Sequence, residues 1–122
     1  MSLSNAEEQL IQILWKLDKA FMKDLIDAYP EPKPATTTIA TLLKRMQDKG
    51  FVDYVQYGRS REYFPLVKKN KYFSKQVNGM IKNFFNDSAA QFASFFTTET
   101  DLSQKELEDL KKLIDERLKS QK

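Results

Sequence analysis

The side chains able to do chemistry in this 122-residue chain are hydroxyls and cations, not nucleophile–base pairs or metal ligands. Thr36, Thr37, Thr38 and Thr41 precede Lys44 and Arg45 in one short stretch, and Arg59, Ser60 and Arg61 follow Gly58. Short hydroxyl side chains let a helix approach another surface closely. Cations further along it suit phosphates, and arginines on a loop suit phosphates or a groove. The chain has no Cys and no His. That excludes disulfides, zinc fingers, iron–sulfur clusters and thiol catalysis, and it removes the usual base of a serine nucleophile. An enzyme would need a carboxylate or lysine pair in a pocket, and the acids here fall on exposed helix faces or at caps. The expectation is a non-enzyme with no catalytic residue, no metal and no cofactor.

The formal net charge of +3 averages over unlike segments. Residues 1–32 carry −3, and residues 33–82 carry +8, with eleven Lys and Arg against Asp48, Asp53 and Glu62. Residues 83–100 carry −2, and residues 101–122 balance. A basic segment of this kind suits a polyanion, although charge alone equally fits a solvated face without a partner. The 41% hydrophobic share, with nine Phe and five Tyr, can build a core. No apolar run approaches about 18 residues, and no basic region followed by an apolar stretch opens the chain, so a soluble cytoplasmic protein is expected.

These residues need elements to hold them. Ser4 with Glu7 fits a capping box, and Ala6, Leu10, Ile13, Leu14 and Leu17 then mark one helix face, widened by Ile11 and Trp15. A second short helix over Met22–Tyr29 turns Met22, Leu25, Ile26 and Tyr29 inward and stops at Pro30, Pro32 and Pro34. Thr36–Thr38 open a third helix, their hydroxyls serving as N-cap, with Ile39, Leu42, Leu43 and Met46 buried and Gly50 as its C-cap. Its opposite face presents Thr37, Thr41, Lys44 and Asp48, flanked by Ala40 and Arg45. Residues 51–55 and 62–66 are β-branched or aromatic runs around the polar tip 56–61, which predicts a β-hairpin. Helix, helix, proline-marked turn, helix and hairpin is the layout of a winged helix-turn-helix.

The C-terminal third continues in helices. Phe73, Val77, Met80, Ile81 and Phe84 line one side of a helix over about 68–85, and Ala89, Phe92, Ala93 and Phe96 repeat the pattern after Asn86-Asp87-Ser88. Ser103 with Glu106 forms a second capping box, opening a helix with Leu107, Leu110, Leu113, Ile114 and Leu118 inward. Six of the nine Phe lie between residues 73 and 96, an apolar load that predicts burial against a second copy. Packing onto the winged part is the alternative. The predicted fold is therefore mainly α: a winged helix-turn-helix domain over 1–67 with a small β-hairpin wing, and a helical dimerisation region over 68–122.

Three stretches resemble the penicillinase-repressor family, which includes the β-lactamase and methicillin-resistance repressors and related copper-responsive repressors. They are Leu3-Ser4-Asn5-Ala6-Glu7 with Leu14-Trp15, then residues 38–46 with Lys49-Gly50-Phe51-Val52, and Tyr63-Phe64-Pro65-Leu66-Val67. The family's Asp-Leu-Ser-Gln element is similar to Asp101-Leu102-Ser103-Gln104. The resemblance implies a bacterial homodimeric repressor binding an operator with two-fold symmetry. It also implies a recognition helix over about 36–49, in which Thr37, Thr38 and Thr41 match positions that face DNA. Beside them, Thr36, Ala40, Lys44 and Arg45 of that helix and Arg59, Ser60 and Arg61 of the wing (about 56–61) are candidate DNA contacts, the cations for phosphates or the minor groove. Several relatives have a basic residue where this chain has Ala40, which can touch a thymine methyl but cannot give bidentate contacts to guanine. Arg45 has a second reading as a salt bridge within the domain.

Copper-responsive relatives use a C-terminal cysteine cluster, which a chain without Cys cannot form. Antibiotic-responsive relatives are inactivated by proteolysis through a membrane metalloprotease sensor, and they are cut at an Asn-Phe bond. The matching stretch here offers Ser94, Phe95 and Phe96 without the Asn, so cleavage in this candidate region is unsupported and its phenylalanines read more readily as core. A winged-helix protein-interaction adaptor, whose outward face meets a protein instead of DNA, is the alternative function.

Overall fold

The computed structural model describes residues 2–121. The order of elements is α1 (Asn5–Leu17), β1 (Ala20–Phe21), α2 (Met22–Ala28), α3 (Thr36–Asp48), β2 (Val52–Tyr57), β3 (Ser60–Pro65), α4 (Lys69–Phe84), α5 (Ala89–Glu99) and α6 (Gln104–Ser120). The chain divides into two compact units, Met1–Ser74 and Lys75–Lys122.

The first unit is a winged helix-turn-helix. Ser4 and Glu7 close the predicted capping box: the Ser4 amide donates to Glu7 Oε1 (2.8 Å), and the Glu7 amide donates to Ser4 Oγ (3.2 Å). The buried face of α1 is Glu7, Leu10, Ile11 and Leu14. The expected Ala6 and Leu17 are exposed instead, so the face is rotated towards Ile11. Glu7, on this rotated face, is buried with its carboxylate beside Lys49, the residue that follows α3. A core of Leu10, Ile11, Leu14, Ala20, Leu25, Ile39, Leu43, Met46 and Val52 is almost solvent-free. Burying a side chain of this kind is worth about 1.5–3 kcal/mol.

The proline-marked turn is clipped onto α2 by Lys33, whose ammonium donates to the Asp27 (2.8 Å) and Tyr29 (2.5 Å) carbonyls. Those carbonyls end a helix and have no intrahelical partner. The N-cap of α3 is Ala35, not a threonine, and no side chain caps this helix. The Thr36–Thr38 hydroxyls therefore do not perform the expected capping role. At the other end Gly50 takes φ +82°, a left-handed conformation that glycine adopts cheaply.

The hairpin is longer than its two apolar runs. Strands β2 and β3 pair from Val52↔Pro65 to Tyr57↔Ser60, leaving a two-residue turn, Gly58-Arg59. Gly58 has φ +61°, the glycine-first sign pattern of a type II′ turn. The sheet has a third strand that the sequence reading lacks. β1 pairs antiparallel with β3, Ala20↔Tyr63 and Phe21↔Glu62, giving the order β1-β3-β2.

The first unit continues past the hairpin. Trp15 Nε1 donates to the Val67 carbonyl (2.8 Å), and the Tyr72 hydroxyl donates to Glu8 Oε2 (2.6 Å). Phe73, expected among the dimerisation residues, sets its ring 5.9 Å from that of Trp15.

In the second unit, Asn86 (φ 53°) and Asp87 (φ 57°) break α4 from α5 in the left-handed region that these residue types tolerate. Ser103 and Glu106 form the expected capping box of α6. Phe85 lies 5.5 Å from Phe92 and 5.3 Å from Phe95, ring centre to ring centre. Phe84, at the end of α4, is 79% exposed, and neither α5 nor α6 contains a buried residue: Leu113, Ile114 and Leu118 of α6 are each about 60% exposed. Among the described residues no helix is long and apolar enough to cross a membrane.

Candidate nucleic-acid interface

The buried face of α3 is Ile39, Leu42, Leu43 and Met46, as the periodicity predicts. That leaves Thr36, Thr37, Thr38, Ala40, Thr41, Lys44 and Arg45 exposed. Thr41 Oγ1 donates to the Thr37 carbonyl (2.9 Å), a local bond that fixes its rotamer. Lys44 forms an exposed i,i+4 ion pair with Asp48 (3.1 Å), of the kind worth about 0.3–0.5 kcal/mol. Among the described residues Arg45 has no ion pair, so the salt-bridge reading of Arg45 finds no carboxylate.

The wing places its two arginines differently. Arg59 occupies the turn itself and is exposed. Arg61 lies on β3 opposite Gln56, its guanidinium 4.4 Å from the centre of the Tyr54 ring. Arg61 Nε also reaches Gln56 Oε1 (3.4 Å), while Gln56 Nε2 donates to the Gly58 carbonyl (2.9 Å). The flexible stem of Arg61 is thereby tethered, and its charge stays in solvent.

Thr36, Arg59, Ser60 and Arg61 line one groove of about 390 Å³, together with Lys23 and Tyr63. The strand β1 makes this possible, because its pairing with β3 brings the start of α2 against the wing. Lys23 is the cation of this groove that sequence reasoning missed. Its only signal was its place after a two-residue strand too short to read. Ser94, Phe95 and Phe96 lie elsewhere, inside α5, where the Thr97 and Thr98 hydroxyls donate back to the Ala93 (2.8 Å) and Ser94 (2.6 Å) carbonyls.

The electrostatic anchor of α3 is behind this face. Lys49 Nζ lies 2.7 Å from Glu7 Oε1, with the Glu7 side chain 1% exposed and that of Lys49 28% exposed. Burial pushes the Glu7 carboxyl up, but the Lys49 ammonium and the Ser4 amide and hydroxyl outweigh it and hold it below the ordinary carboxylate value. The second oxygen, Oε2, is buried without a hydrogen-bond partner. Among the described residues no cluster of His, Cys, Asp or Glu could hold a metal ion. The outward chemistry is hydroxyl, methyl and cation.

Comparison with known proteins agrees with this geometry. The family model described as penicillinase repressor matches residues 3–116. The chain is 26% identical over 116 residues to the methicillin resistance regulatory protein MecI of Staphylococcus aureus, covering 94% of each. It is 23% identical to the penicillinase repressor of Bacillus licheniformis, covering 93% of this chain and 90% of the relative. Among solved structures, the DNA binding domain of the repressor BlaI is similar with a TM-score of 0.52 and 25% identity, over 58% of this chain and 88% of that one.

Proposed function

The chain belongs to the penicillinase repressor family, whose members are transcriptional repressors and not enzymes, and from that premise we propose that it is a homodimeric repressor of a two-fold symmetric operator. The outward face of α3 reads the major groove, Lys44 and Arg45 meet phosphates, and the wing residues Arg59, Ser60 and Arg61 follow the backbone or the adjacent minor groove. The observation that carries this reading is the shared groove. The start of α3 and the tip of the wing form one surface of hydroxyls and cations.

The helices after residue 67 supply the dimer contact, through the uncovered apolar side chains of α4 and α6. Dimerisation sets two recognition helices about 34 Å apart, one turn of DNA. Such a protein works in the cytoplasm, where its operator is. If relief runs through cleavage at Ser94–Phe96 by a membrane metalloprotease sensor, α5 has to open first, because a protease needs an extended chain and this one is helical.

Fluorescence anisotropy with duplexes selected from a random pool tests the reading. Binding should fall linearly in log Kd against log salt, with a slope set by several phosphate contacts. A slope near zero, or no selected duplex at low salt, overturns it and favours the protein-adaptor alternative.

A further inference from the structure

Thr41 stands at the centre of the face that α3 turns away from the core, and the structure restricts what it can say to a base. A threonine hydroxyl has one proton and two lone pairs. The proton is committed to the Thr37 carbonyl at 2.9 Å. Outward, Thr41 therefore offers an acceptor and a γ-methyl. In the major groove guanine shows only acceptors, while adenine N6 and cytosine N4 donate and thymine carries a methyl. Only the A·T pair carries both a donor and a methyl, with thymine O4 between them.

We infer that Thr41 reads an A·T pair as a hydrogen-bond acceptor, taking its bond from adenine N6, with its own methyl against the thymine methyl. Guanine is rejected because Thr41 would have to release Thr37 in order to donate. The inference rests on the DNA-binding reading above and names what that surface recognises.

The test selects duplexes with the wild-type protein, Thr41→Ser and Thr41→Val. The position whose preference relaxes in Thr41→Val is the one facing Thr41. The adenine there is then replaced by purine, which lacks the N6 amino group. Wild type and Thr41→Ser should lose roughly fivefold in affinity, the range of one net hydrogen bond, and Thr41→Val should lose nothing further. Using the same DNA for all three proteins cancels any change in the duplex itself. Guanine selected at that position, or an equal loss for wild type and Thr41→Val, overturns the inference while leaving DNA binding intact. Failure of the wild type to select any sequence overturns both.

Discussion

Lys49 and Glu7 tie the end of α3 to the first turn of α1, at 2.7 Å and 42 residues apart in sequence. The same Glu7 oxygen accepts from the Ser4 amide, so one carboxylate closes a helix cap and orients a second helix.

Lys49→Met leaves Glu7 buried with only its Ser4 donors. Removing one partner of a buried pair costs about 3–5 kcal/mol; because Lys49 is partly exposed and Ser4 remains, about 2 kcal/mol is expected at neutral pH. The lowered Glu7 carboxyl contributes stability above its unfolded pKa of about 4.3 and loses it as pH falls through the folded value. The gap between wild type and Lys49→Met in urea denaturation should therefore close below about pH 4. Adding Glu7→Gln to Lys49→Met should recover part of the loss, since a neutral amide needs no counter-charge. A gap that stays constant with pH would contradict this assignment.

Asp48 neutralises Lys44 on the face proposed to meet DNA. Lys44→Ala should lower the salt slope by about one and weaken all duplexes alike. Asp48→Asn should do the reverse, raising affinity by roughly twofold at low salt, an effect that fades as salt rises. Anisotropy titrations across a salt series measure both.

Tyr54 holds Arg61 by its ring face. Tyr54→Leu keeps the apolar bulk beside Tyr63 but removes the quadrupole. Affinity should fall by about two- to fivefold, matching about 0.5–1 kcal/mol, with the salt slope unchanged because no charge is lost. Arg61→Ala should lower the slope as well, and that contrast separates positioning from charge.

Leu113, Ile114 and Leu118 are uncovered in the single chain. With dimerisation through this surface, Ile114→Asp should weaken the dimer by about 3 kcal/mol, two powers of ten in Kd. Sedimentation should show monomer at micromolar protein, with helix content retained by circular dichroism. An unchanged dimer would place the contact elsewhere.

Local signals carried well from sequence to structure. Both capping boxes, the buried stripe of α3 and the apolar strands of the wing follow from spacings of three, four or two residues. Long-range relations were not legible. The strand Ala20–Phe21 has no pattern of its own and exists only because β3 lies beside it. Glu7 reads as a cap, but its pairing with Lys49, 42 residues on, has no local signal, and α1 buries Ile11 while Leu17 stays outside. Lys23 joins the candidate interface through the same unseen strand. The α3 cap failed for a different reason: the N-cap position falls on Ala35, whose methyl carries no acceptor, and the threonines that follow are already inside the helix.

The tight Gly58-Arg59 turn has a consequence for kinetics. Gln56 bonded to Gly58 and Arg61 resting on Tyr54 give the wing internal contacts that do not need DNA. Little conformational entropy is then left to lose on capture of a duplex. Association should accordingly proceed in one phase at a rate governed by charge steering, without the slow ordering step that a long, loose wing would impose.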